Sequence, residues 1–196
     1  KLALCHDVAG ACIEITQLPD HSRLFAELEN PTSDRISDFS FSHEGDRLVG
    51  ISNFFDHKCV VWSLISKEVL LTVGLETLFE ACIVNPIDSN LISFVSCDGV
   101  HIGEIREVYG DFSIHVRKTK AESLCNAIPE RLDAHNIDSD SQQIQFFCWA
   151  PEQCAFVGLS SGEILYLDMK LDKSLFYFLA GKNEDVSNEI SRRYPT

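Results

Sequence analysis

A chain of 196 residues that is 45% apolar and 23% charged carries enough apolar side chain for a sizeable core and too little charge for a disordered polyelectrolyte. Its 30 acidic and 16 basic residues leave a net charge of −14, which repels phosphate backbones and anionic lipid heads, so nucleic acid and membrane surfaces are not the expected partners and basic protein surfaces are. No run approaches the roughly 20 apolar residues that span a bilayer, and the opening Lys1-Leu2-Ala3-Leu4-Cys5-His6-Asp7 turns polar too early for a signal peptide.

In chain order, "LALCHD", "ACIEITQL" and "RLFAELE" read as three strands, separated by Val8-Ala9-Gly10 and by the turn Pro19-Asp20-His21-Ser22. Next, residues 36–74 open with an apolar strand ending at Phe41-Ser42-His43, followed by Leu48-Val49-Gly50-Ile51, Cys59-Val60-Val61-Trp62 and Val69-Leu70-Leu71-Thr72-Val73. Residues 78–105 repeat the plan, with Val84-Asn85-Pro86, Leu91-Ile92-Ser93-Phe94 and a Cys97-Asp98-Gly99 turn, and Phe112-Ser113-Ile114-His115-Val116 supplies a fourth strand. Residues 144–181 do so again through Trp149-Ala150-Pro151, Ala155-Phe156-Val157-Gly158, Ile164-Leu165-Tyr166-Leu167 and Leu175-Phe176-Tyr177-Phe178-Leu179.

The spacing of these copies sets the fold. Pro86 follows His43 by 43 residues, the length of a four-stranded propeller blade. Pro151 follows Pro86 by 65, and the surplus of 22 falls in the polar stretch 119–143. The predicted class is all-β: a β-propeller arc of about four four-stranded WD-like blades, part of a larger propeller. Its divisions are an incomplete first blade (1–30), a second (31–74) and a third (75–118), a polar insertion (119–143), a fourth blade (144–181), and a linker or the start of a further element (182–196). Lys rather than Met at position 1 fits a piece of a longer chain.

Gly158-Leu159-Ser160-Ser161-Gly162 matches the G-x-S-x-G pattern of a nucleophile elbow, which requires a base downstream of the serine. The histidines are at 6, 21, 43, 57, 101, 115 and 135, all upstream, and the repeat places Ser160-Ser161-Gly162 at a hairpin turn. The eight cysteines include no C-x-x-C pair and sit mostly in apolar stretches, so they read as small buried hydrophobes in a reducing compartment. Trp62 and Trp149 are expected core anchors, and Glu27 and Glu29 alternate as a solvated face. With no phosphate-cradling glycine loop, His-Glu-x-x-His or basic–aromatic alternation, no catalytic residue, cofactor or metal is assigned.

Val60-Val61-Trp62-Ser63-Leu64, preceded by Phe41 to Leu48 and by Asp56-His57-Lys58, resembles a WD repeat. That family's third strand ends in Trp-Asp, and here Ser63 takes the Asp place. The second repeat has Gly103-Glu104 near that position and the third has Tyr166 or Leu167, with no Gly-His in the preceding loop. Asp56 to Trp62, with Asn85-Pro86, Cys148-Trp149-Ala150-Pro151, Val157-Gly158 and Gly162-Glu163-Ile164-Leu165, is similar to the large WD-repeat proteins of cilia and flagella, over roughly residues 1–180. The resemblance implies a non-catalytic scaffold or tether of the axoneme associated with dynein regulation. Its expected partners are axonemal, dynein-tether or microtubule-associated proteins, and its expected place is the cytoskeleton. The alternatives are a trafficking-coat or ubiquitin-ligase adaptor and, further off, a propeller enzyme.

The stretch most open to partner binding is the insertion, where Lys118, Lys120 and Arg131 surround an apolar group, Leu124, Ile128 and Leu132, at a four-residue period. The bland alternative is a solvated loop with a helical turn packed on its own blade.

Overall fold

The computed structural model describes residues 2–5, 12–16, 24–52, 55–96, 99–119, 144–160, 162–169 and 173–179. They fall in two compact units, 1–118 and 119–196. Every sheet is an antiparallel meander with strands in sequence order. The first blade has three strands: β1 (Leu2–Cys5), β2 (Ile13–Thr16) and β3 (Leu24–Leu28). The second has β4 (Ile36–Phe41), β5 (Arg47–Ser52), β6 (Lys58–Ser63) and β7 (Val69–Gly74). The third has β8 (Ala81–Val84), β9 (Leu91–Ser96), β10 (Gly99–Val108) and β11 (Asp111–Lys118). The other unit holds β12 (Ile144–Ala150), β13 (Cys154–Leu159), β14 (Glu163–Asp168) and β15 (Lys173–Leu179).

The four-stranded blades repeat in their hydrogen bonds as well as their strand order. In each of these blades, an N–H just past the third strand's last pair with the second strand donates to a carbonyl in the turn between the first two strands: Leu64 to Asp46 at 2.7 Å, Ile105 to Asn90 at 2.7 Å and Met169 to Gln153 at 3.1 Å.

Strand periodicity explains why the second blade has apolar residues on both faces. Successive side chains point to opposite faces, and β5 and β6 are buried on both. Leu48, Val60 and Trp62 pack on Ile13, Ile15, Ala26 and Leu28 of the first blade. Val49, Ile51, Cys59 and Val61 pack on Cys82, Val84, Ile92 and Phe94 of the third. The Trp62 indole is fully buried, and its N–H donates to the Glu29 carbonyl at 2.8 Å, satisfying the group that burial would otherwise orphan.

The exposed edge of the innermost strand β8 is closed by the preceding blade. Cys82 N–H donates to the Asp38 carboxylate at 2.8 Å, and Val84 N–H to the Ser40 hydroxyl at 2.9 Å. A second tie joins the loop after β3 to the loop after β5. The Asp56 carboxylate accepts from the Ser33 N–H at 2.7 Å, from the Ser33 hydroxyl and from Lys58 at 2.9 Å. Phe55 N–H reciprocates by donating to Asp34 at 3.2 Å.

Glycines opposite aromatics complete the packing. Gly50 pairs with Phe39, and a Cβ at Gly50 would lie 2.8 Å from Ile36 and 3.0 Å from Trp62. Gly158 pairs with Phe146 in the same way, with the ring 1.8 Å from where a Cβ would sit.

Gly50→Ala is expected to destabilise the protein by about 1–3 kcal/mol, because Ile36 and Trp62 are themselves buried and can shift only by straining the core. Chemical denaturation measures this, and an unchanged midpoint would show the site to be compliant. The Asp56 tie sets a pH dependence. Its carboxyl is held at about 2, below the usual 3.8, chiefly by the Ser33 hydroxyl and then by Lys58 and the Ser33 N–H. A carboxyl depressed in the fold stabilises above its unfolded value and loses that contribution as pH falls toward the folded one. Ser33 amide protection, taken relative to the intrinsic exchange rate at each pH, should therefore be held above about pH 4 and be lost between about 4 and 2. In Asp56→Asn that protection should be low and show no such pH step.

Candidate functional site

A cleft of about 470 Å³ lies between the second and third blades. Apolar side chains line part of it, Val73 from β7, Leu75 and Phe79 from the β7–β8 connection, and Ile114 and Val116 from β11, while polar atoms make up the larger share of its open surface. Leu75 is fixed because its N–H donates to the His57 carbonyl at 2.5 Å. Phe79 is buried against Phe94 at 5.2 Å and meets the His101 ring edge-on at 5.0 Å. Gly103 provides the space on this face, since a Cβ there would lie 2.7 Å from Phe94 and 2.8 Å from Ile114.

Polar groups stand around these walls: Glu76, Thr77, His101 and Lys118. A cation and an anion beside these apolar side chains suit a partner segment that presents an apolar side chain next to a charged one. The volume lies in the range of ordinary ligand pockets, roughly 300–1,000 Å³.

Of the residues singled out in the sequence for partner binding, Lys118 lies at the exposed end of β11 and borders this cleft. Lys120, Leu124, Ile128, Arg131 and Leu132 lie outside the described residues. The cleft walls were assigned in the sequence only to strands and their connections. Two blades approximately 40 residues apart converge to form the cleft, and a motif scan does not register such convergence.

The Gly158–Gly162 motif is a turn. Gly162 N–H donates to the Leu159 carbonyl at 3.0 Å, and β13 runs directly into antiparallel β14 rather than into a helix. Each glycine has a structural cause: Gly158 leaves room for Phe146, and Gly162 adopts φ +84°.

Among the described residues, no group of three or more His, Cys, Asp or Glu side chains is placed to hold a metal. Burial of the cysteines is uneven. Cys59, Cys82 and Cys154 are buried, as expected, and Cys12 is half-buried. Cys148 departs from the expectation and is exposed, because strand alternation turns it away from the side where Trp149 is buried.

No protein-family model matches the sequence, and no curated protein matches it. By contrast, 894 chains of solved structure match, so the likeness is to a widespread architecture rather than to one protein. Among them is the β-propeller domain of Cps50 (Swd1) from Myceliophteria thermophila, with a TM-score of 0.63 and 14% identity. The alignment covers 90% of this chain and 51% of that one, so this chain spans about half the length of that domain. The fold is therefore a β-propeller of WD-like blades, matched over part of a propeller.

The cysteines give a direct check of these surfaces. Burial pushes the Cys59 thiol up to about 12 and Cys82 well above its usual value, with Asp38 adding to the latter. Maleimide at pH 8 should modify Cys148 in the native protein and reach Cys59 and Cys82 only after unfolding. Peptide mapping distinguishes them. Equal labelling of Cys59 and Cys148 would contradict the packing of the second blade.

Proposed function

We propose that this chain is a protein–protein interaction scaffold with no reaction of its own. The cleft between the second and third blades carries this reading. Its apolar side chains pack on the core shared by the second and third blades, and Leu75 is further fixed by its bond to the His57 carbonyl, so a partner meets a preformed surface and little ordering opposes docking. The charge of −14 favours encounter with a basic partner surface.

Within that class, we infer a structural or tethering role in the ciliary or flagellar axoneme, linked to dynein regulation. The similarity of Asp56 to Trp62, Asn85-Pro86 and Cys148 to Pro151 to the large ciliary WD-repeat proteins supports this assignment. On this reading the partners are axonemal, dynein-tether or microtubule-associated proteins.

Cross-linking mass spectrometry on intact demembranated axonemes tests both levels. The exposed Lys67 and Lys118 are the reporting positions. Links from Lys118 to dynein-tether or doublet-associated proteins are the expected result. Absence of the protein from axonemes, with links to other proteins in the soluble fraction, would remove the ciliary assignment and leave the scaffold.

A further inference from the structure

The third blade ends differently from its neighbours. In the second blade, β6 pairs with β5 as far as Ser63 and with β7 only as far as Trp62, so its hairpin does not outrun the sheet. In the fourth, Asp168 closes the pairing on both sides. In the third, β9 leaves β10 at Glu104, whereas β10 and β11 stay paired through Arg106–Ser113, Glu107–Phe112 and Val108–Asp111. Ile105 still donates to the Asn90 carbonyl in the β8–β9 turn, and the three pairs past it, at 3.3–3.4 Å per residue, carry a two-stranded ribbon about 10 Å beyond the end of β9.

Among the described residues, the ribbon is braced through Phe112, which pairs with Glu107 one step short of the tip pair and packs on the core shared by the second and third blades. Arg47 of the second blade donates to Asn90 at 2.9 Å and lies over the Phe112 ring at 6.0 Å. From Arg106 to Asp111 every residue is exposed, with Tyr109 at 103% and Val108 at 55%. The tip is a two-residue loop, Tyr109-Gly110, with φ of +56° and +88°. Such a turn needs positive φ at both positions, and asparagine before glycine is its ordinary sequence. A bulky aromatic at the first position is disfavoured by the backbone and gains nothing from the fold, because no part of its ring is covered.

The charges around the tip are acidic. Arg106 is engaged by Glu104 at 2.9 Å, while Glu107 and Asp111 flank Val108 and Tyr109. We propose that the β10–β11 ribbon is a docking knob. Tyr109 and Val108 enter an apolar pocket on another protein whose rim is lined with Lys or Arg facing Glu107 and Asp111. This surface rests on the scaffold reading above and is distinct from the cleft, which lies toward the other ends of β10 and β11.

Because asparagine suits the turn better than tyrosine, Tyr109→Asn in the full-length protein removes the knob without weakening the hairpin, and its melting temperature should not fall. The protein carries benzoylphenylalanine at position 109, or at the exposed Thr72 as a control, and is photo-cross-linked in its own cells. Separately, partners co-purifying with wild type, Tyr109→Asn and Tyr109→Phe are quantified. The expected result is a cross-link from position 109 to a Lys- or Arg-rich segment of a second protein. That protein should be depleted roughly tenfold or more in Tyr109→Asn, as for an interface hot spot, and retained by Tyr109→Phe. Cross-linking at 109 no stronger than at 72, or equal partner yields in Tyr109→Asn, would overturn the knob and leave the scaffold standing. Cross-links from 109 into a second copy of this chain would replace the proposed partner with self-association. If no stoichiometric partner accompanies even the wild type, the scaffold reading falls and the knob with it.

Discussion

Everything in the first unit depends on the second blade being buried on both sides. A sheet with one apolar face can stand against solvent, but β5 and β6 alternate apolar residues onto two faces and need a neighbour on each. Burying a side chain the size of Leu, Ile or Val stabilises by about 1.5–3 kcal/mol relative to exposure. Exposing one face of this blade would release several such residues at once. Blades are therefore cooperative units whose stability lies largely in the interfaces between them.

Packing alone leaves polar backbone groups at the edges, and particular side chains close them. Asp38 and Ser40 receive the N–H groups of the next blade's innermost strand, and the Glu29 carbonyl receives the Trp62 indole. Each contact fixes relative height along the strands as well as satisfying a donor. A one-residue slip of β4 against β5 would turn Asp38 and Ser40 to the opposite face, away from β8. Apolar packing holds the blades together, and these hydrogen bonds choose the register in which they are held.

The blade plan was legible because it is written twice, once as two-residue alternation and once as a repeat near 43 residues. Trp62 was legible as an anchor for the same reason. Less accessible were features created by contact between distant residues. The Asp56–Ser33 tie joins positions 23 apart with no motif to announce it. Cys148 lies in an apolar stretch yet faces outward, since neighbouring residues in a strand take opposite sides. The extension of β10 past Ile105 escaped because Arg106-Glu107-Val108 looks like the polar end of a strand. The signal that could have found it was Tyr109-Gly110, an aromatic in a turn position that ordinarily takes asparagine. The walls of the cleft were each readable as strand or connection, but their convergence is a property of the assembled blades.

The third blade therefore has two differently shaped ends. At one, His101, Val116 and Lys118 border a cleft that receives. At the other, Val108 and Tyr109 project from a ribbon that inserts. The same two strands connect them: from His101 to Val108, β10 spans about 23 Å at 3.3 Å per residue. Its first half is buried in the blade and its last three residues are exposed. A connection of this kind transmits position rather than conformational change, because β10 is held on both sides as far as Glu104 and stays paired with β11 to the tip, so the two ends do not move independently. Two partners engaged at these ends would be held at a fixed separation, with the blade serving as a spacer.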